Sequence, residues 1–429
     1  MNIKLSHLRP GVHADARLME DPIMHALIIG GGIAGPVLAV ALSRVGIDST
    51  VFERGSRDDD RRGAWITFQA NGMDALRAIG MAESVEALGY PVDRIGFVNG
   101  SGRSLGGMPM AARRPDGQAS VVMPRAELYR ALSDRAAQQG VRVEYDREFV
   151  GAERTVTGVR ARFADGTTAE GDILIGADGI HSRVRQTIDP AAAPPRYVPV
   201  LNVGGFIPGL AVDAPDQEFV MQFGSRCFFA WMRTPDGGTI WFANPPMRRE
   251  PARGALSAMS DAEWRGWLRD LMRGDAGPSA EILEAAPAPL TGWATYDMPV
   301  VRNWHDGAGR MVLIGDAAHA TAPAAGQGAA MSIEDAVVLA QCLRDCPDTG
   351  TAFSRFVELR RARVERIVEH GRRSSARKAA GPIGRLVRDT MMPVIFRRAA
   401  RDGGESMMWL QGHHIDFDAP VFDPSEATK

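Results

Sequence analysis

The chain has 429 residues, 45% of them hydrophobic, and a net charge of −2. That is room for two or three domains at about 150 residues each, with no overall field toward nucleic acid or an anionic surface. Its three cysteines, Cys227, Cys342 and Cys346, are too few and too odd in number for a disulfide framework, and no ligand pair lies beside them. The expectation is reduced thiols, no metal and a cytoplasmic protein. Arginine is abundant against only three lysines, which reads as coding bias, so arginine-rich spots receive little weight here.

Residues 1–23 are polar, lack the apolar core of a signal peptide, and read as a disordered or mis-assigned extension before Met24. An apolar run, His25 to Ile29, then breaks into Gly30-Gly31-Gly32-Ile33-Ala34-Gly35, resumes as a helix to Val45 and stops at Gly46. A second apolar run, Ser49 to Phe52, ends in Glu53, 18 residues past Gly35 and close to the roughly 20 of a dinucleotide-binding βαβ unit. In such a unit Gly30 allows the tight turn, Gly32 admits a pyrophosphate and Gly35 lets the helix approach the strand. The helix N-terminus supplies oriented N–H groups. The uncharged stretch Ala26 to Ser43 could pass for a membrane span, but three consecutive glycines and Pro36 suit strand, loop and helix start far better than a helix interior.

Arg54 to Arg62 reads as a surface loop, Gly63 to Phe68 as an apolar run, and Asn71 to Ile79 as a helix closed by Gly80. Pro91 to Gln118 shows no clean period. Pro124 opens a helix that carries Arg125, Leu128, Leu132 and Ala136 on one side and ends at Gly140. Strands follow at Val141 to Tyr145, on either side of Asp165-Gly166, and at Asp172 to Ile175, which runs into Gly176-Ala177-Asp178-Gly179. From Arg196 to Tyr296 short runs rich in Phe and Trp predict a mostly antiparallel sheet with one aromatic face, part core and part pocket wall. Val312 to Ile314 is another buried strand, leading to Gly315-Asp316-Ala317-Ala318-His319 and, after Gly326-Gln327-Gly328, to a helix. Helices about Thr351–Glu369 and Ile383–Ala399 precede a polar tail. The expected fold class is α/β: a Rossmann-like domain split between residues 24–195 and 298–340, an inserted β-sheet domain at 196–297, and a helical region at 341–429.

Three motifs occur in a fixed order: GGGIAG with Glu53, GADGIHSRVR from Gly176, and LIGDAAHATAPAAGQGAAMSIEDA from Leu313. Together, over about Met24 to Arg366, the chain resembles the FAD-dependent aromatic hydroxylases. These single-component flavoprotein monooxygenases are typified by para-hydroxybenzoate hydroxylase and include tetracycline-inactivating enzymes. The resemblance implies non-covalent FAD, reduced by NADPH or NADH as co-substrate, and oxygen insertion into an aromatic or polyketide-like molecule through a flavin hydroperoxide.

For FAD it implies the loop Gly30, Gly32, Ile33, Ala34 and Gly35, with Glu53 on the adenosine ribose, Arg54 beside it and Arg125 reaching the flavin. Asp178 and Gly179, with Ser182 and Arg185, would form a loop serving FAD and nicotinamide. Gly315 and Asp316 would serve the ribityl chain, while Pro323, Gly326, Gln327, Gly328 and Ala329 would pass the isoalloxazine ring. Phe223, Phe229, Trp231 and Pro323 are the substrate-lining expectations. His319 reads as structural, and no catalytic base is named. Where members often carry Asn, this chain has Ala330, which removes one side-chain bond to the flavin. Expected partners are an aromatic small molecule and dioxygen, without nucleic acid or a membrane span, in a monomer or homodimer. The rivals are a dehydrogenase, reductase or halogenase on the same scaffold, or an idle FAD protein.

Overall fold

His25–Ile29 is the middle strand of a five-stranded parallel sheet in the order Met311–Leu313, Ile173–Gly176, His25–Ile29, Asp48–Phe52, Arg142–Glu144. The computed structural model describes residues 23–57, 65–110, 120–378, 382–401 and 405–423. The expected extension at residues 1–23, all but Ile23, and parts of the 54–62 loop, the 63–68 run and the 91–118 segment lie outside them. Ala26 to Ile29 are all buried, as expected of a strand covered on both faces. Helix α1 (Ala34–Arg44) covers one side and ends at Gly46, whose φ of 77° suits glycine. Helix α2 (Ala70–Ala78) follows. Helix α3 (Arg125–Gln138) turns Leu128, Leu132 and Ala136 inward, and Pro124 stands just before its first turn.

The registers decide where chemistry can gather. Ile29 pairs with both Gly176 and Phe52, and Gly176 pairs with Leu313. The strand ends that lead into Gly30, Glu53, Ala177-Asp178 and Gly315-Asp316 therefore meet along one edge, the usual ligand side of a parallel sheet.

The second sheet has seven strands, in the order Gly292–Asp297, Arg196–Ile207, Thr239–Asn244, Phe228–Arg233, Glu218–Phe223, Arg94–Asn99, Ser104–Pro109. It is antiparallel except where Glu218–Phe223 runs parallel to Arg94–Asn99. Its last two strands come from the segment that shows no period in the sequence. Alternation along the strands divides the aromatics. Phe229, Trp231 and Trp241 face helices α4 (Asp261–Leu271) and α5 (Ser279–Ala285), packing with Trp264, Leu268, Ile282 and Leu283. Phe219, Phe223 and Phe228 turn the other way, toward Trp65, Tyr90, Val92 and Val122 of a three-stranded sheet. Phe229 and Trp231 are thus core residues beneath helices and not pocket lining, because a period of two places them opposite Phe228 and Ala230.

Helix α6 (Gly328–Asp345) packs on α1 and α2, and α7 (Thr349–Lys378) packs on α6. Helices α8 (Pro382–Arg401) and α9 (Glu405–Gln411) complete the described chain apart from residues 412–423. The polar tail is anchored: Ile415 and Phe417 are buried, Gln341 donates to the Asp416 carbonyl at 2.8 Å, and the Ile415 N–H donates to Asp74 at 3.1 Å.

Candidate cofactor and substrate site

The glycine loop is shaped by contacts that leave no room for side chains. Gly30 has a φ of 112°, and a Cβ there would stand 2.3 Å from the Ala177 carbonyl oxygen; at Gly35 it would stand 2.0 Å from the Gly30 oxygen. Helix α1 begins at Ala34 with Ile33 as its N-cap and no side-chain cap, so its first N–H groups keep donor capacity for an anion. Glu53 is buried beside the loop, accepting from the Gly31 N–H at 2.7 Å and the Gly55 N–H at 2.8 Å.

A chain of contacts leads from this loop to the third motif. A Cβ on Gly32 would lie 3.3 Å from the Tyr129 ring, and Arg125 donates to the Tyr129 hydroxyl at 3.1 Å. The Arg125 guanidinium is held above its ordinary range chiefly by Tyr129; burial opposes this and Asp316 adds to it. A Cβ on Gly328 would in turn stand 3.8 Å from Asp316 Oδ1. Helix α6, like α1, starts without a side-chain cap, on the N-cap Gln327. Two uncapped helix N-termini thus present donors and positive dipole ends in the region joined by Gly32, Tyr129, Arg125 and Asp316.

Asp178 and Gly179 close the same edge. The Asp178 carboxylate accepts from the Arg183 and Val184 N–H groups at 2.8 and 3.1 Å; burial raises its pKa while these bonds oppose the rise. Ser182 caps the helix that follows, accepting from the Arg185 N–H at 2.8 Å. Arg185 is fully buried and donates to the carbonyls of Ala317 at 2.8 Å and Ile180 at 2.7 Å, tying the second motif to the third. Arg54 and Pro323 are exposed.

A network that the sequence reading passed over lies beneath α6. Glu334 and Asp335 are completely buried, and Arg360 of α7 donates to both, at 2.7 and 2.8 Å. Arg363 also donates to Glu334 at 2.9 Å, and His319 Nε2 lies 2.5 Å from Asp335. Asn71 donates to Gln327 at 2.9 Å and to Glu334 at 2.7 Å. Burial alone would raise both carboxyls, but the neighbouring cations hold them below their ordinary range. The available signal was the adjacent pair Glu334-Asp335 inside an apolar helix, which needs buried cations to be tolerated. The same packing explains Ala330: a Cβ on Gly72 would stand 3.0 Å from it, so α2 fills the space that an asparagine would need.

A family model described as FAD binding domain matches residues 24–369. An aurachin C monooxygenase/isomerase of Stigmatella aurantiaca is 31% identical over 350 residues, covering 80% of this chain and 86% of its own. The 3-amino-4-hydroxybenzoate 2-monooxygenase PtnB3 of Streptomyces platensis is 31% identical over 418 residues, covering 92% and 96%. The chain belongs to the FAD-dependent aromatic hydroxylase family. Among solved structures, Klebsiella pneumoniae HpxO complexed with FAD and uric acid superposes on this hydroxylase with a TM-score of 0.77 at 26% identity, covering 89% of this chain and 95% of that one.

FAD is therefore the cofactor, and the geometry suits it. The Cβ-excluding glycines, the two uncapped helix ends and the buried Glu53 are compatible with a long anionic dinucleotide. The protein is a FAD-dependent monooxygenase, and nothing found favours a dehydrogenase or halogenase.

Proposed function

We propose that this monooxygenase takes its electrons from NADH or NADPH and hydroxylates an electron-rich aromatic small molecule held against the Phe206 side of the seven-stranded sheet. One observation carries the proposal. The Trp65 ring stands 5.5 Å from that of Phe206, and the strand Trp65–Phe68 runs directly into Gln69, whose amide nitrogen would lie 3.2 Å from a Cβ on Gly326. A single short strand thus joins the aromatic wall to the turn expected beside the flavin ring.

Bound FAD supplies the redox and oxygen-activating chemistry. The chain's residues do the rest. Gly30, Gly32, Ile33, Ala34 and Gly35 would admit the pyrophosphate, Glu53 and Arg54 would hold the adenosine end, and Arg125, Gly315 and Asp316 would position the middle. Asp178 and Gly179 shape the loop toward the nicotinamide. Gly326, Gln327, Gly328 and Ala329 would present the α6 N-terminus to the bound ring, where its dipole would favour the negative charge of the reduced state. Trp65, Phe206 and Phe223 supply flat apolar surface that excludes water from the reacting centre. No protein nucleophile is required for the oxygen transfer, and a base that ionises a phenolic substrate would assist it.

Aminohydroxybenzoate and urate, named for the relatives and for the HpxO complex, are both flat and electron-rich. The test is a panel of such compounds scored for stimulated oxidation of NADH and NADPH by the FAD-loaded protein. Stimulation with oxygen uptake supports the reading; a panel of phenols, aminobenzoates and purines that leaves the rate unchanged counts against the aromatic substrate.

A further inference from the structure

Gln69 is a buried amide with one end tied and the other free. It is 5% exposed and stands where the strand Trp65–Phe68 turns into α2. As the N-cap of α2 it makes no side-chain cap bond, so its carboxamide does not serve the helix it begins. Its Oε1 accepts twice, from the Ser120 hydroxyl at 3.2 Å and from Gln411 Nε2 of α9 at 3.1 Å. Those two bonds decide which way the amide faces. Nε2 is turned to Gly326, where a Cβ would stand 3.2 Å from it, and among the described residues no acceptor is bonded to it.

A buried donor left unpaired costs about 1–3 kcal/mol, a cost that an apolar side chain of the same length would avoid. Asn71, two residues along, shows the contrast. Its Nδ2 donates to Gln327 at 2.9 Å and to Glu334 at 2.7 Å, and so ties α2 to the start of α6. The donor of Gln69 is left over for a ligand. It converges with the uncapped N-terminus of α6 on one turn, and two converging donors suit an acceptor edge. The strand also separates cofactor from substrate: it begins at Trp65 against the aromatic wall and ends at Gln69 beside Gly326. The end of α9 that carries Gln411 is itself held. Arg363, which donates to Glu334 at 2.9 Å, also donates to the carbonyls of Trp409 at 2.7 Å and Leu410 at 3.0 Å.

We infer, resting on the placement of the flavin ring beside the Gly326 turn proposed above, that Gln69 Nε2 donates a hydrogen bond to a carbonyl oxygen of the ring's pyrimidine edge and that Gln411 is the positioning residue that aims it. A donor at that edge favours the reduced ring, where negative charge gathers. The C-terminal helix α9 thereby helps to set the potential of the cofactor.

The FAD-loaded full chain is read by its reduction potential and by the 13C signals of FAD labelled at the two pyrimidine carbonyl carbons, C2 and C4. Gln69→Met keeps the length of the side chain and removes the donor. It should lower the affinity for reduced relative to oxidised FAD about tenfold, about 30 mV for the two-electron couple, and move one carbonyl carbon upfield. Gln411→Met should move the same carbon the same way by less, and it carries the test should Gln69→Met be purified without flavin. Gly326→Ala reports on the ring placement itself, because its methyl group enters the turn 3.2 Å from Nε2. Carbonyl signals that move in Gly326→Ala but stay, with the potential, at wild-type values in Gln69→Met and Gln411→Met overturn the hydrogen bond and leave the ring where it was placed. Signals unmoved in all three variants overturn the placement and the inference with it. A weaker FAD affinity of Gln69→Met with both carbonyl carbons unmoved assigns Gln69 to packing alone.

Discussion

His319 Nε2 and Asp335 Oδ2 lie 2.5 Å apart, with neither side chain more than 4% exposed. The same Asp335 oxygen accepts from the Gly315 N–H at 2.9 Å, and its partner oxygen accepts from Arg360 Nε at 2.8 Å. One carboxylate on α6 therefore fixes both ends of the Gly315–His319 segment and anchors α7 behind it. Asp335→Ala leaves the buried Arg360 with Glu334 alone of its two carboxylates and takes away the acceptor of the Gly315 N–H, and the expected cost is about 3–5 kcal/mol. Chemical denaturation of the holoprotein measures it; a loss below about 1 kcal/mol would show that the network is peripheral to stability.

Acid should reveal the same network. Glu334 and Asp335 have pKa values depressed in the folded state, so their contribution is complete above the ordinary carboxyl range of about 4 and is lost as pH falls toward the depressed values. Below about pH 4 the unfolded chain binds protons that the folded chain refuses, and stability falls with pH. The double variant Glu334→Gln/Asp335→Asn should show a shallower fall over that range, whatever its stability at neutrality. Parallel slopes for variant and wild type would contradict the assignment.

The parallel sheet and the nucleotide edge were legible because each rests on local rules. Apolar strands broken by glycine, with Glu53 at the right distance, dictate a βαβ unit before any tertiary contact is known. The seven-stranded sheet was only partly legible. Arg94–Asn99 pairs with Glu218–Phe223, more than a hundred residues away, and Gly96 in it and Gly106 and Gly107 in Ser104–Pro109 dilute the alternation of the two strands. Phe229 and Trp231 look like pocket residues because aromatic content is visible in a sequence, whereas the face a strand buries depends on the distant helix that supplies Trp264. The ion network needed α6, α7 and the third motif together. Its ion-pair partners lie 16 to 29 residues apart in sequence and cannot be matched from composition.

Glu53→Ala should weaken FAD binding by about 1.5–3 kcal/mol, the usual value of a hydrogen bond to a charged group. Asp316→Ala should act alike. Titration of apoprotein with FAD reads both, and unchanged affinity in the pair would displace the cofactor assignment. The loss at position 53 includes the two backbone N–H groups that Glu53 now satisfies.

Two glycines should separate packing from conformation. At Gly35 a methyl group would meet the Gly30 carbonyl oxygen at 2.0 Å, so Gly35→Ala must push α1 off the central strand. That variant should be purified without flavin. At Gly46 nothing lies within 4 Å, so Gly46→Ala carries only the left-handed backbone cost of about 1–2 kcal/mol and should keep its flavin. Yellow Gly35→Ala protein would mean that the loop tolerates a shift this close to the pyrophosphate.

The last prediction concerns water. A reduced flavin that meets oxygen in a wet site yields hydrogen peroxide, so productive transfer depends on a dry wall around the substrate. Trp65 is the side chain best placed to seal it, with Phe206 5.5 Å away on one sheet and Tyr90 6.4 Å away on its own. Trp65→Ala opens that corner without touching the residues assigned to FAD. Oxidation of NADH or NADPH should therefore continue, while the share of electrons ending in hydrogen peroxide rises severalfold and the product formed still carries one atom from labelled dioxygen. Phe229→Ala supplies the contrast, because Phe229 is buried under α4 and α5 on the opposite face. It should lose about 3–5 kcal/mol of stability as a large core side chain and leave the ratio of product to peroxide unchanged. Uncoupling by Phe229→Ala with full coupling retained in Trp65→Ala would place the substrate on the wrong face of the sheet, and label entering product from water would remove oxygen transfer from dioxygen altogether.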